Sequence, residues 1–208
     1  MRRGGFALAL AAALLLAGCV GLSRPALETT RFLLQLEPPA AGARTAGALA
    51  LGRVRVSSLF DRQGFVYRTG ESTFASDPRN EWFAPPAGVL REAILDWLAQ
   101  AGPFASVQRG TVSGAEWLLE TDVDRFYADL RERETPAVVL EGRFRLLDLR
   151  SPGLRLVLAV DFDEREPAGA GTPQELVDAW ARALARALAA LEPELRAATA
   201  PPPPAARR

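Results

Sequence analysis

The chain of 208 residues has no histidine, no lysine and a single cysteine, Cys19. Without histidine there can be no Ser-His-Asp triad and no Cys-His pair, and zinc or haem sites built on His and Cys have no ligands. One cysteine permits no disulfide within the chain. All 25 basic residues are arginine, and Asp and Glu also number 25, so no bulk charge draws the chain to nucleic acid or to an anionic membrane surface. No phosphate loop, dinucleotide fingerprint or nucleophile elbow occurs. What remains is carboxylates, arginines, hydroxyls and two tyrosines. That inventory disfavours an enzyme and implies neither cofactor nor metal.

What is present begins with an address. Arg2 and Arg3 precede an uninterrupted apolar run from Phe6 to Leu16. The run is about half the roughly 20 apolar residues needed to cross a bilayer, which fits a signal peptide better than a permanent span. The ending Leu16-Ala17-Gly18-Cys19 resembles the lipobox of bacterial lipoproteins. By that resemblance the Cys19 sulfur is alkylated by diacylglycerol, palmitate joins it, and Cys19 becomes the first residue of the mature chain. Two or more acyl chains hold a protein stably to one membrane face. Val20, where an Asp would retain a lipoprotein at the inner membrane, implies the periplasmic face of the outer membrane. The alternative is an ordinary secretory peptide with a chance cysteine.

The remaining pattern divides into a tether at 19–30, one domain at 31–195 with room for a sizeable core, and a proline-rich disordered tail at 196–208. Arg31 to Leu36 reads as a first strand. Leu49 to Val56 reads as a second, with Val54 and Val56 facing opposite Arg53 and Arg55. A turn around Asp61 to Gly64 leads to the strand Phe65 to Arg68, which pairs across Thr69-Gly70 with a short strand near Glu71 to Phe74. Asp77 to Pro86 reads as loop. Pro85 and Pro86 then open a helix that carries Leu90, Ile94, Trp97 and Leu98 on one face and stops at Gly102-Pro103.

Three alternating segments follow, at Trp117 to Val123, Val138 to Leu146 and Leu154 to Phe162. Phe126 breaks the phase of the first, which signals a bulge or the strand's end, and Arg150 to Gly153 turns the last two into a hairpin. Thr172, Pro173 and Glu175 form a capping box ahead of a helix to Leu191. The expected fold is α/β (α+β): a mainly antiparallel mixed sheet with two major helices on one face and solvent or a partner on the other.

Few side chains mark a site. Glu120, Asp122 and Asp124 read as a solvated strand face; a hydrolase using them would need a concave site around them. Asp129 to Glu134 alternates in sign and reads as an exposed connection.

The order of features resembles the ABC-type transport auxiliary lipoprotein family, which includes paraquat-inducible protein C. The carriers are the lipobox, Phe32 to Leu36, Arg53 to Val56, Leu59-Phe60-Asp61-Arg62 with Phe65 to Arg68, and Glu81 to Pro86 opening a helix. Ser58 and Phe60 stand where the family often has proline and tyrosine. The resemblance implies a lipoprotein that docks, without catalysis, in a system moving lipid or other hydrophobic compounds between inner and outer membranes. Its implied partners are a mammalian-cell-entry (MCE) type substrate-binding protein and an ABC permease and ATPase; homo-oligomer formation stays open. Asp61, Arg62, Arg68 and Trp82 are the candidates for partner docking or for holding the fold, Asp61-Arg62 being equally readable as a turn and Trp82 as a core plug. A structural or assembly lipoprotein of the envelope, such as a peptidoglycan synthase activator, is the competing reading.

Overall fold

A computed structural model of the chain describes residues 28–200, apart from 41, 111, 133 and 152. The signal segment, Cys19 and the prolines from 201 onward lie outside the described residues.

The elements in order are β1 (Thr30–Phe32), β2 (Ala46–Val56), β3 (Gly64–Arg68), β4 (Phe74–Trp82), α1 (Pro86–Ala101), β5 (Phe104–Arg109), β6 (Trp117–Asp129), β7 (Ala137–Asp148), β8 (Arg155–Pro167) and α2 (Pro173–Thr199). They form one mixed sheet of eight strands. Its spine is β6. One edge of β6 pairs antiparallel with β7 over its whole length, and β7 pairs likewise with β8. The other edge of β6 is shared: β2 runs parallel to Trp117–Val123, and β3 runs parallel to Ala128 and Asp129. Outward from β2 lies β5, and outward from β3 lie β4 and then β1. Four of the seven pairings are therefore parallel, although the two longest ladders are antiparallel.

Both helices lie on one face, α1 over β2 and β5, α2 over β7 and β8. Alternation aims Leu49, Leu51, Leu119, Val123, Leu140, Phe144 and Leu146 at them, all buried. The β6 phase break is a bulge between Val123 and Arg125, after which the strand continues to Asp129. Opposite it stands Gly142, where a Cβ would come within 2.2 Å of the Asp122 carbonyl oxygen and 2.6 Å of Phe162 Cζ. Only glycine fits that crossing. The capping box forms as the sequence predicts: the Thr172 hydroxyl accepts from Glu175 N at 3.4 Å, and the Glu175 carboxylate accepts from Thr172 N at 3.0 Å.

Several boundaries differ from expectation. β1 stops at Phe32, and Leu34 is buried beyond it. Asp77 to Trp82 is not loop but the second half of β4. The Asp77 carboxylate accepts from the backbone N–H of Arg79 and Asn80, and Trp82 N donates to Gln63 O, so side chain and neighbouring strand satisfy the backbone there. β5 follows α1 and was not anticipated. α2 passes the expected end at Leu191 and Pro193 to reach Thr199. An interior proline costs about 3 kcal/mol; burial of Leu195 and the bonds from Arg196 to the Ala43 and Ala101 carbonyls work against that cost. Asp129, expected in an exposed connection, is 2 % exposed.

Candidate functional site

Among the described residues no helix covers the second face of the sheet, and two arrangements occupy it. The first is an ionic lattice. Arg55, Asp122, Arg143, Arg145 and Asp161 line a shallow depression of about 590 Å³. Arg55 Nε lies 2.6 Å from Asp122 Oδ1, Arg145 bridges Asp122 and Glu120, and Arg143 clamps Asp161 with two bonds. The Arg143 guanidinium holds the Asp161 carboxyl below its usual range. Asp124 adds its charge beside Arg143. The face around Glu120, Asp122 and Asp124 is thus concave, as a hydrolase would need. Glu120 and Asp122 both sit against a guanidinium, Asp122 between Arg55 and Arg145 and Glu120 beside Arg145. No cluster of three or more Cys, Asp or Glu suited to a metal occurs among the described residues.

The second arrangement is built by the motif turn. Because β2 and β3 take successive stretches of the same edge of β6, residues 57–63 must leave the sheet between them. Ser57 N donates to Val123 O at 2.8 Å, and Phe60 N and Asp61 N both donate to Ser57 O. The turn then folds Phe60 back onto the uncovered face, with ring centroids 5.5 Å from Tyr127 and 5.9 Å from Phe74; Phe74 and Tyr127 are 5.4 Å apart, edge to face. These three rings form a small satellite core. At its rim Leu59 is 69 % and Phe74 44 % exposed, lining with Arg62, Val66, Ala75 and Ser76 an apolar cleft of about 360 Å³. Arg68 lies over the Phe74 ring at 5.9 Å while its guanidinium donates to the Gly70 and Glu71 carbonyls.

The four candidate residues do not converge. Arg62 and Arg68 flank the cleft. Trp82, 1 % exposed, lies on the opposite face with Phe65, Phe126 and Trp180. Asp61 turns toward α1: its Oδ1 accepts from Ala87 N at 3.1 Å. Pro85, the N-cap of α1, offers no side-chain acceptor, so Asp61 caps the helix from 26 residues away in sequence. Asp61→Ala should cost about 1 kcal/mol, read in urea unfolding, with the binding properties of the folded protein unchanged. Leu59, Phe74 and Tyr127 as a cluster escaped sequence reasoning. The available signal was an aromatic in each of two separate strands beside a turn that carries two apolar residues in succession.

The fold and the sequence both have relatives. A solved Xanthomonas campestris protein of the DUF330 family aligns with a TM-score of 0.67 at 20% identity, covering 78% of this chain and 92% of that one. A second solved structure, of a protein described as uncharacterized, aligns with a TM-score of 0.63 at 19% identity, covering 81% of this chain and 99% of the other. At those identities the likeness is one of fold. No curated protein matches the sequence. A family model for the ABC-type transport auxiliary lipoprotein component matches residues 32–192, a span that runs from the end of β1 through most of α2 and includes the motif turn, the cleft and the ionic lattice. The chain belongs to the ABC-type transport auxiliary lipoprotein family.

Proposed function

We propose that this protein is the membrane-anchored arm of an ABC-type system that moves lipid or another hydrophobic compound between inner and outer membranes, and that it acts by binding and docking without catalysis. The family match over residues 32–192 carries this reading. Two features support it. No described helix is long and apolar enough to cross a membrane, and the anchor in this reading is the lipid expected on Cys19, on the periplasmic face of the outer membrane. On the uncovered face Glu120, Asp122 and Asp161 are tied to arginines, which makes that face a charged, shape-holding surface suited to a protein partner.

The expected partners are an MCE-type substrate-binding protein and the permease and ATPase it works with. Of the four candidate residues, Arg62 and Arg68 are the two left for contacts outside the fold, while Asp61 and Trp82 hold it. The test is a crosslinking pull-down of the anchored protein from its own envelope beside a Cys19→Ala control. Recovery of an MCE-type protein or its permease, lost in the control, is the expected result. Wall synthases or assembly factors in their place would make this a structural or assembly lipoprotein, and the family resemblance a statement about fold alone.

A further inference from the structure

The motif turn leaves one apolar feature that the sheet does not use. Leu59 stands in solvent and Phe74, packed by one side on Phe60 and Tyr127, leaves the rest of its ring open beside it. An aliphatic and an aromatic side chain exposed side by side next to an arginine are more than folding requires. Arg62 makes no ion pair among the described residues, and Arg68 lies over the Phe74 ring.

Strand direction says what this feature faces. β1 runs parallel to β4, with Thr30 opposite Asn80. The chain ahead of Thr30 therefore enters from the end of β4 at which Phe74 stands. Phe74 lies six residues before Asn80, at most about 20 Å along a strand. Thr30 is eleven residue steps from Cys19, a reach of about 36–40 Å when extended. The tether is thus long enough to bring a lipid on Cys19 level with Phe74 and past it. Leu33 and Phe83 are also exposed, but they follow the opposite ends of β1 and β4, joined by the Phe83 N to Phe32 O bond of 2.8 Å. They mark the end of the sheet away from Phe74 and the incoming tether.

We propose that Leu59 and Phe74, flanked by Arg62 and Arg68, form a seat on the bilayer that carries the anchor, so that the domain rests on that membrane in one orientation. The proposal rests on the lipidation of Cys19 for its place in the cell. Apolar side chains would enter the interfacial region while Arg62 extends to anionic headgroups; Arg68 stays on the Gly70 and Glu71 carbonyls and backs the Phe74 ring. Two side chains give only weak binding alone; the tether raises their local concentration at the surface and makes it count. Seated in this way, the domain would be held at a fixed angle to the membrane, so the ionic lattice would meet a partner in one orientation.

The test replaces the natural anchor, so that it does not depend on lipidation. The chain from residue 19 onward, with Cys19→Ala and a polyhistidine tag in place of the lipid, is held on vesicles of phosphatidylethanolamine and phosphatidylglycerol doped with nickel-chelating lipid. Leu59→Cys, Phe74→Cys and, as the control, Phe83→Cys each carry a polarity-sensitive dye. The expected result is a several-fold rise in emission, with a blue shift, at positions 59 and 74 and none at 83. In the untagged protein, Leu59→Ser with Phe74→Ser should lower vesicle partitioning by about tenfold. No change at 59 and 74, or an equal change at 83, overturns the proposal. So does a response at 59 and 74 that needs an added transport protein instead of vesicles, which would make the cleft a partner site. A separate failure to find lipid on Cys19 by mass spectrometry would strike the anchoring reading and leave the vesicle result standing.

Discussion

Trp82→Ala should lower the unfolding free energy by about 3–5 kcal/mol, the largest loss expected from any of the family-motif residues. The indole is 1 % exposed and sits within ring-centroid distances of 4.7 Å from Phe65, 5.2 Å from Trp180 and 5.5 Å from Phe126. Those rings come from β3, α2 and β6, so Trp82 on β4 joins a helix to three strands at one point. The cluster cannot close over the gap, because Trp82 N is fixed to the Gln63 carbonyl at 2.7 Å and the facing rings are held by their own strands. Against a total of about 5–15 kcal/mol for a typical domain, the loss is a large fraction, and it should appear as a fall of about 6–20 °C in Tm. Trp82→Phe, which keeps a ring in the cluster, should cost less. The measurement is thermal unfolding followed by near-ultraviolet circular dichroism, with partner recovery measured in parallel. Recovery that falls only in step with folded protein marks Trp82 as holding the fold; normal Tm with lost recovery would make it a docking residue.

Trp82 also shows where sequence reasoning reaches its limit. The residue was visible as part of a recognisable motif, but the segment around it reads as loop because Asp77, Pro78 and Asn80 are turn formers. β4 forms there because Asp77 satisfies local N–H groups and β1 supplies a parallel neighbour, and neither is written in local propensity. The long ladders were legible for the opposite reason: in Trp117–Val123, Val138–Leu146 and Leu158–Phe162 period-two alternation coincides with a face that must be buried, whereas Leu154 and Leu156, expected on that face, are exposed, the register of β7 and β8 shifting between Leu146 and Leu147. The capping box at Thr172 was legible because its two bonds join residues three apart. Asp61 was not, because the N–H it caps is on Ala87. The cleft failed to show for a related reason. Tyr127 reaches the uncovered face only after the bulge at Val123 and Arg125 shifts the phase of β6, and Phe74 joins it only because β3, its hairpin partner, pairs parallel with β6. The ionic lattice was half legible: alternation placed the charges on one face, but which arginine neutralises which carboxylate follows from register.

Acid should release the edge strand first, and two aspartates decide where. β8 is paired on one side only, by β7, and its ends are pinned by a repeated device. At one end Asp129 accepts from the Arg131 backbone and side chain and from Arg165 of β8. At the other, Asp148 accepts from the Arg150 backbone and side chain and, at 3.0 Å, from Arg155 of β8. Both carboxyls are nearly inaccessible, at 2 % exposure each. The Arg131 guanidinium, aided by Arg165 and opposed by burial, holds Asp129 far below the usual carboxylate range, and Arg150 does the same for Asp148. A carboxyl whose folded pKa is depressed contributes stability that is present above its unfolded value, about 3.9, and is lost as pH falls below it. Stability should therefore be level between about pH 7 and 5 and drop steeply below about 4. Asp129→Asn should cost about 2–3 kcal/mol at neutral pH, a figure set by charge-assisted hydrogen bonds and held down by the partial exposure of both arginines. Unfolding in urea across a pH series checks this: the gap between parent and variant should begin to narrow below about pH 4, where the unfolded chain takes up the proton, and close only where the folded Asp129 does, well below the usual carboxylate range. A gap that stays constant into acid would mean that shape, and not charge, holds that end of β8. Amide exchange adds the location. Asp129→Asn should raise exchange near Arg165 and leave Arg155 protected, and Asp148→Asn should do the reverse, because each aspartate reaches a different end of the same strand.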